Sequence, residues 1–485
     1  GSFNGEDFIK QLGGKVKGLK SSEEVYFAYL LMKSAAKGQG KAARKVIEDA
    51  LSTDSWPMLA ALQAIQEGGD PSWVIPIYER LKAMIVMPAK DAQDQSPTLD
   101  SGFRKDLLEG NFLLAVGLFD ALSETYPNMA PDEKRTHAVL DQMITMITLL
   151  DEYDYVRYFA AKCFAKIAGF KQPSDNRVWL KHYLLQREMK RLNKDGMPED
   201  DGGTSRTRVK GPTFVGMPPI GKRIVICLDV SGSMEEEVSD EVKETRKKRE
   251  GPITGDGKGK GGAEEKEKEK GHRERIDWAK IKTKLDLAKA DFKLTLQDMS
   301  DDYYFNVVAY STDSDLLDPK KTGFVRATEA NKAHFIKLVE DVETQYMTNI
   351  HGALMDALRI TSDGADLGED EDPSTSSRAL LTGANTIFFL TDGYGTWSDD
   401  SVNKKRDKRI SNSTKPSVGD GAFIYREDII MDFVRLNKFR KVIVNTVGIG
   451  NHDRWLMFDM AKQSGGQYID LSGKKPLNEK NRKDD

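Results

Sequence analysis

The hydrophobic pattern changes period once along the chain. Up to about residue 192 apolar side chains recur at helical spacing, and from residue 222 they gather into short runs separated by helical stretches. Val156, Phe159, Ala160, Cys163, Phe164 and Ile167 follow steps of three and one, which places them on one helix face, and Gly169 stands where a C-terminal glycine stops a helix. Further helices are predicted over 23–36, 42–51, 57–66, 72–85, 104–126, 131–150 and 174–192, some opening at pairs such as Asp70-Pro71 and Ala130-Pro131. No strands are predicted between them. Residues 1–195 therefore read as an all-α region of paired helices, solenoid-like although without a clean internal period.

Residues 196–221 turn to Gly, Pro, Asp and Thr and read as a linker, in which Thr213-Phe-Val-Gly-Met217 is expected to add a short edge strand. Over 222–473 strands and helices alternate, which predicts an α/β fold with a doubly wound, mostly parallel open sheet. Strands are predicted at 223–228, 304–311, 386–391, 441–447 and 467–471, with 323–328 as a small antiparallel edge. Helices fall at 276–299, 331–342, 350–360, 427–437 and 452–462; in the first, Ile281, Leu285, Ala288, Phe292, Leu296 and Met299 line one face. Residues 474–485 form a polar tail. Charged insertions at 235–275 and 395–422 interrupt the pattern, and the first has too few apolar groups to fold on its own.

Composition narrows the classes. The 485 residues are enough for two or three domains, with 39% hydrophobic and 31% charged residues and a net charge of −4. That balance disfavours nucleic acid or an anionic membrane as the main partner. Cys163 and Cys227 each fall in an apolar pattern and read as small buried hydrophobes, so the redox compartment stays open. No apolar run reaches the ~18–20 residues that span a bilayer. The chain opens on Gly1, not Met, so the expectation leans to a secreted or periplasmic protein after signal-peptide removal, with a cytoplasmic one still open.

The chemistry gathers at one predicted edge. Ile224 to Leu228 has the composition of a strand buried on both faces, and it runs into Asp229-x-Ser231-x-Ser233 on a glycine-containing turn. Thr348 is expected to open a helix, and Asp392 follows the apolar run Ile387-Phe-Phe-Leu390. Ligands of open α/β sheets sit at the carboxyl ends of the strands. Two carboxylates and three hydroxyls there suit a hard cation, Mg²⁺ first, with Ca²⁺ or Mn²⁺ as alternatives, and not a thiophilic metal. Hydroxyl ligands leave such a cation electron-poor, so it should seek an outside carboxylate.

These residues resemble the metal-ion-dependent adhesion site (MIDAS) of von Willebrand factor A domains, Asp-x-Ser-x-Ser…Thr…Asp, at Asp229, Ser231, Ser233, Thr348 and Asp392. Thr446-Val-Gly-Ile-Gly450 also resembles the penultimate strand and turn of that family. The resemblance implies that the serines and threonine contact the metal, that the aspartates often act through water, and that a protein partner's acidic side chain fills the open position. Val156 to Phe170 and Asn176 to Tyr183 resemble the closing repeat of bacterial HEAT-like arrays, and the whole is similar to bacterial HEAT/von Willebrand A fusions. The array suits either a binding surface or a spacer. His351, Tyr394 and Trp397 lie close enough in sequence to form a partner-binding rim, although a helix-terminus histidine and ordinary loop packing account for them more simply. The insertions either gate the partner surface, with the basic cluster Lys404, Lys405, Arg406, Lys408 and Arg409 favouring an acidic ligand, or are plain solvated loops.

Catalysis finds no motif. A haloacid-dehalogenase phosphatase needs an aspartate where Ser231 stands, no Gly-x-Ser-x-Gly elbow occurs, and Gly257-Lys-Gly-Lys-Gly261 lacks P-loop spacing. The six histidines show no metal-ligand spacing. The expectation is a non-enzymatic, cation-dependent protein-binding module. Alternatives are an RNA-associated protein like the Ro/TROVE ribonucleoproteins, or an accessory subunit of an AAA ATPase chelatase or chaperone.

Overall fold

The structure, a computed structural model, describes residues 21–36, 41–53, 55–89, 96–109, 111–130, 132–170, 211–249, 276–362, 367, 371–394 and 426–477. The chain falls into two units: Gly1–Thr207 with Leu367–Gly383 and Lys438–Lys441, and Arg208–Asp366 with Ala384–Asn437 and Val442–Asp485.

In the first unit the described helices are α1 (Val25–Ala36), α2 (Lys41–Leu51), α3 (Trp56–Gly68), α4 (Val74–Ala83), α5 (Ser101–Leu108), α6 (Leu113–Thr125), α7 (Glu133–Leu149) and α8 (Asp154–Ala168). α3 packs on α1 and α6, and α6 on α8. Pro57 to Ile65 of α3 are all buried, as is nearly all of α6, which is what helices apolar all round must do. α8 buries Val156, Phe159, Ala160, Cys163 and Phe164 as its spacing requires, and Gly169 ends it at φ 81° with its N–H on the Ala165 carbonyl.

Three expectations for this unit need correction. The single helix over 104–126 is two, because Asp100 accepts from the Gly102 and Phe103 N–H groups to start α5, which ends at Leu108, and α6 starts afresh at Leu113. Helix 72–85 ends at Ala83, and a two-stranded antiparallel pair follows, β1 (Ile85–Val86) with β2 (Thr98–Leu99), where no strand was expected. The helix expected at 174–192 lies outside the described residues.

The second unit is built on a seven-stranded sheet. Its strands are β3 (Arg223–Asp229), β4 (Tyr304–Tyr310), β5 (Ser314–Leu316), β6 (Val325–Arg326), β7 (Thr386–Thr391), β8 (Ile443–Gly448) and β9 (Tyr468–Asp470). The order is β5-β4-β3-β7-β8-β9, with β6 also paired to β4. β4, β3, β7, β8 and β9 run parallel, while β5 and β6 are antiparallel to β4. The sheet is therefore mostly parallel and open, and the strands pair where the apolar runs predict; only the short β5 is additional. The pleat of the strand sends consecutive side chains of β3 to opposite faces. Ile224, Ile226 and Leu228 join Leu287, Phe292 and Leu296 of α10 (Lys284–Gln297) and Phe335 of α11 (Glu329–Glu340). Val225 and Cys227 join Leu354 of α12 (Ile350–Arg359), Phe433 of α14 (Arg426–Leu436) and Met457 of α15 (Arg454–Ser464). A sheet covered on both faces can present chemistry only at its edges. The short α13 (Ser377–Thr382) belongs to the first unit.

Thr213–Met217 does not extend the sheet. Phe214 and Met217 bond each other's backbones across a tight turn with Val215 and Gly216 at φ 51° and 83°, and both buried side chains plug one face of the core. The described part of the first insertion holds a helix: α9 (Asp240–Lys247) begins on the Ser239 cap, and its Val242 and Arg246 are buried. Pairing at Val238 N–H to Lys282 carbonyl (2.9 Å) and Lys284 N–H to Glu236 carbonyl (3.1 Å) delays α10 to Lys284, where a Thr283–Asp286 capping box starts it. The sequence expectation missed this because α9 buries few apolar groups and leans on an ion pair. The Arg246 guanidinium meets both Asp291 carboxylate oxygens (Nε at 3.0 and 3.1 Å), with both side chains buried.

Removing one half of a buried pair strands the other charge. Asp291→Ala is expected to destabilise the second unit by ~3–5 kcal/mol in urea unfolding, against ~1 kcal/mol or less for an exposed pair such as Lys280–Asp277. A loss at the exposed-pair level would contradict the anchoring of α9.

Candidate metal centre

β3 is the middle of the winding: the chain leaves it toward β4 on one side and later crosses to β7 on the other. Loops from β3 and β7 therefore part at their carboxyl ends, which is where open sheets leave a crevice. Asp229 ends β3, and Asp392 follows β7 by one residue. Both are buried.

The third segment is drawn in by backbone pairing. Gln345 donates its N–H to the Val230 carbonyl (2.8 Å) and Asn349 to the Ser311 carbonyl (2.7 Å), which lays residues 345–349 across the ends of β3 and β4. The Asn349 side chain caps α12 by accepting the Gly352 N–H, so Thr348 stands one residue ahead of the cap instead of opening the helix itself. A Cβ placed on Gly393 would lie 3.1 Å from Thr348 Oγ1, so the Thr348 hydroxyl sits against the residue after Asp392, and glycine there gives it room.

Around that point the polar groups are bonded as follows. Asp229 Oδ1 accepts the Ser231 N–H (2.8 Å), and its Oδ2 accepts the Thr391 hydroxyl (2.6 Å). Ser231 Oγ and Ser233 Oγ are 3.1 Å apart, and Ser233 Oγ donates to Asp392 Oδ1 (2.7 Å). The Lys284 ammonium lies 2.7 Å from Asp392 Oδ2 and 2.5 Å from Glu236 Oε2. Four of the five sequence-proposed ligands are thus linked by direct bonds, and the fifth, Thr348, abuts Gly393, the neighbour of Asp392.

Electrostatics mark the spot. Burial, with the Asp392 carboxylate beside it, pushes the Asp229 carboxyl up to about 7 despite its hydrogen bonds. Burial works against the charge on Lys284, but bonds to Asp392 and Glu236 outweigh it and hold that ammonium's pKa above its ordinary value. Two neighbouring buried acids and three hydroxyls form an all-oxygen donor set, whose chemistry is that of a hard-cation site; Ser231, Ser233, Thr348 and the two aspartates are the residues that could hold one. Among the described residues no group of three or more His, Cys, Asp or Glu side chains is placed to hold a metal, so a site here depends on the hydroxyls.

The rim residues separate. His351 is buried with Nε2 on Asp432 Oδ2 (3.2 Å), which leaves little of it for a partner to touch; Tyr394 is half exposed beside the site, and Trp397 lies outside the described residues. Sequence reasoning missed Thr391, Glu236 and Lys284. A signal for the last existed: a lysine at the first position of a helix opposes the helix dipole and calls for a separate reason.

No known family profile matches the sequence, and no curated protein does. Among solved structures, a von Willebrand factor type A protein from Catenulispora acidiphila is similar over 52% of this chain and 40% of its own, with 17% identity and a TM-score of 0.30. The conserved hypothetical protein BatB from Bacteroides thetaiotaomicron is similar over 52% of this chain and 90% of its own (11% identity, TM-score 0.27). An uncharacterized membrane-spanning protein from Vibrio fischeri covers 51% of this chain and 89% of its own (13% identity, TM-score 0.17). Among the described residues of this chain no helix is long and apolar enough to cross a membrane.

The raised Asp229 value fixes a pH dependence. Folded protein keeps a proton up to about pH 7 that the unfolded chain releases near 3.8, so in chelator the contribution of Asp229 to the stability of the second unit falls by a few kcal/mol as pH rises across that interval, against the opposite contributions of acids held low such as Asp318 and Asp470. The stability difference between wild type and Asp229→Asn, in urea titrations run at successive pH values, should therefore shift against wild type as pH rises across the interval. A difference that stays constant with pH would contradict the assignment.

Proposed function

We propose that this protein is a non-enzymatic binding module that holds a divalent cation, Mg²⁺ first among candidates, at Asp229, Ser231, Ser233, Thr348 and Asp392, and uses it to capture a carboxylate of a protein partner. One observation carries the reading: acids and hydroxyls from three distant segments meet at the carboxyl edge of a parallel sheet, at its winding point. The donor chemistry supports a hard cation, and neutral hydroxyl donors leave it able to attract one more anion. The helical unit serves as a scaffold or second contact surface. Tyr394, half exposed beside Asp392, supplies an aromatic rim of the kind that anchors protein contacts.

Mg²⁺ at a hundredfold excess over its dissociation constant is expected to stabilise the second unit by about 2.7 kcal/mol, seen as a rise in melting temperature that EDTA reverses. Thr348→Ala should remove that rise while the metal-free melting temperature stays close to wild type, and Ser233→Ala should remove it and also lower the metal-free melting temperature, because Asp392 loses a hydrogen bond. Affinity capture of partners with Mg²⁺, repeated in chelator, tests the binding role. Partners retained equally with chelator would overturn it.

A further inference from the structure

Lys284 belongs to no ligand set, yet it reaches the centre of one. It opens α10, a position where a positive charge opposes the helix dipole, and its side chain is only 8% exposed. Its stem runs beside the Gly450 turn, where a Cβ would come within 3.3 Å of Lys284 Cε; Gly450 has φ 57°, so the turn both favours glycine and leaves the lysine its channel. The ammonium contacts Asp392 Oδ2 at 2.7 Å and the Ser233 backbone carbonyl at 3.4 Å, the two residues that the proposed cation also needs. Its other neighbour, Glu236 at 2.5 Å, is 66% exposed and lies toward solvent.

We propose that Lys284 is a tethered cation that competes with the divalent ion for Asp392, and that metal loading moves its ammonium off Asp392 and onto Glu236. This inference rests on the metal reading above. An ammonium and a divalent ion sharing one buried carboxylate repel each other with little water to screen them, so occupancy by one disfavours the other. Without metal, the lysine neutralises Asp392 and keeps the site closed to weak ligands. With metal, Glu236 receives the displaced charge at small cost, since that carboxylate already touches it. The device sets the concentration at which the site fills: apparent affinity is the intrinsic affinity multiplied by the fraction of molecules with Lys284 withdrawn.

The test is Mg²⁺ titration by calorimetry, with melting temperature in EDTA as the second readout, on the full chain and on Lys284→Met, Glu236→Gln and Ser233→Ala. Lys284→Met is expected to bind Mg²⁺ roughly tenfold more tightly, and Glu236→Gln roughly threefold more weakly, than wild type. In EDTA, Lys284→Met should melt below wild type, because Asp392 has lost its counter-charge, and Mg²⁺ should recover the difference. Equal or weaker Mg²⁺ binding by a Lys284→Met protein that still melts cooperatively would overturn the competition while leaving the metal site standing. If neither wild type nor Lys284→Met binds Mg²⁺, the metal reading fails, and the competition with it.

Discussion

Two acids buried together at the end of a hydrophobic sheet are the constraint from which the rest follows. Asp229 and Asp392 sit where strands covered on both faces run out, and each is bonded on both carboxylate oxygens to groups that the fold brings from elsewhere. Buried carboxylates without compensation are unfavourable by several kcal/mol each. The sheet tolerates them because hydroxyls, a backbone amide and one ammonium surround them. That environment costs stability and is therefore poorly explained as architecture alone.

The fold's contribution is placement. A strand order that winds outward from β3 in both directions puts the carboxyl ends of β3 and β7 side by side, so residues 163 positions apart, Asp229 and Asp392, come to one edge of the sheet. Backbone pairing of residues 345–349 against the ends of β3 and β4 adds Thr348. The large apolar side chains beneath, Phe292 and Phe388 on one face and Phe389 and Phe433 on the other, make the edge rigid enough for such a constellation.

Much of this was legible in the sequence because it depends on local pattern. Five apolar runs predict the parallel strands, and the positions of Asp229, Ser231, Ser233 and Asp392 at strand ends predict their meeting. What was not legible depends on pairing across long separations. α9 is held by Arg246 against Asp291, 45 residues on, and composition alone reads its charge as solvated. Lys284 stands 108 residues from Asp392, and nothing in hydrophobic periodicity reports which acid a lysine will reach. The separate ends of α5 at Leu108 and α6 at Leu113, and the pairing of Ile85–Val86 with Thr98–Leu99, were lost for a simpler reason: they are short features, and helical periodicity runs straight through them.

The most direct measurement is an anomalous-scattering map of crystals of the full chain soaked in Mn²⁺, which is a hard oxygen-seeking ion like Mg²⁺ but visible to X-rays. The account predicts a single strong peak bonded to the hydroxyls of Ser231, Ser233 and Thr348, with Asp229 and Asp392 around it. A map in which those hydroxyls carry no peak, with the Lys284 ammonium still seated on Asp392 at saturating ion, would contradict it.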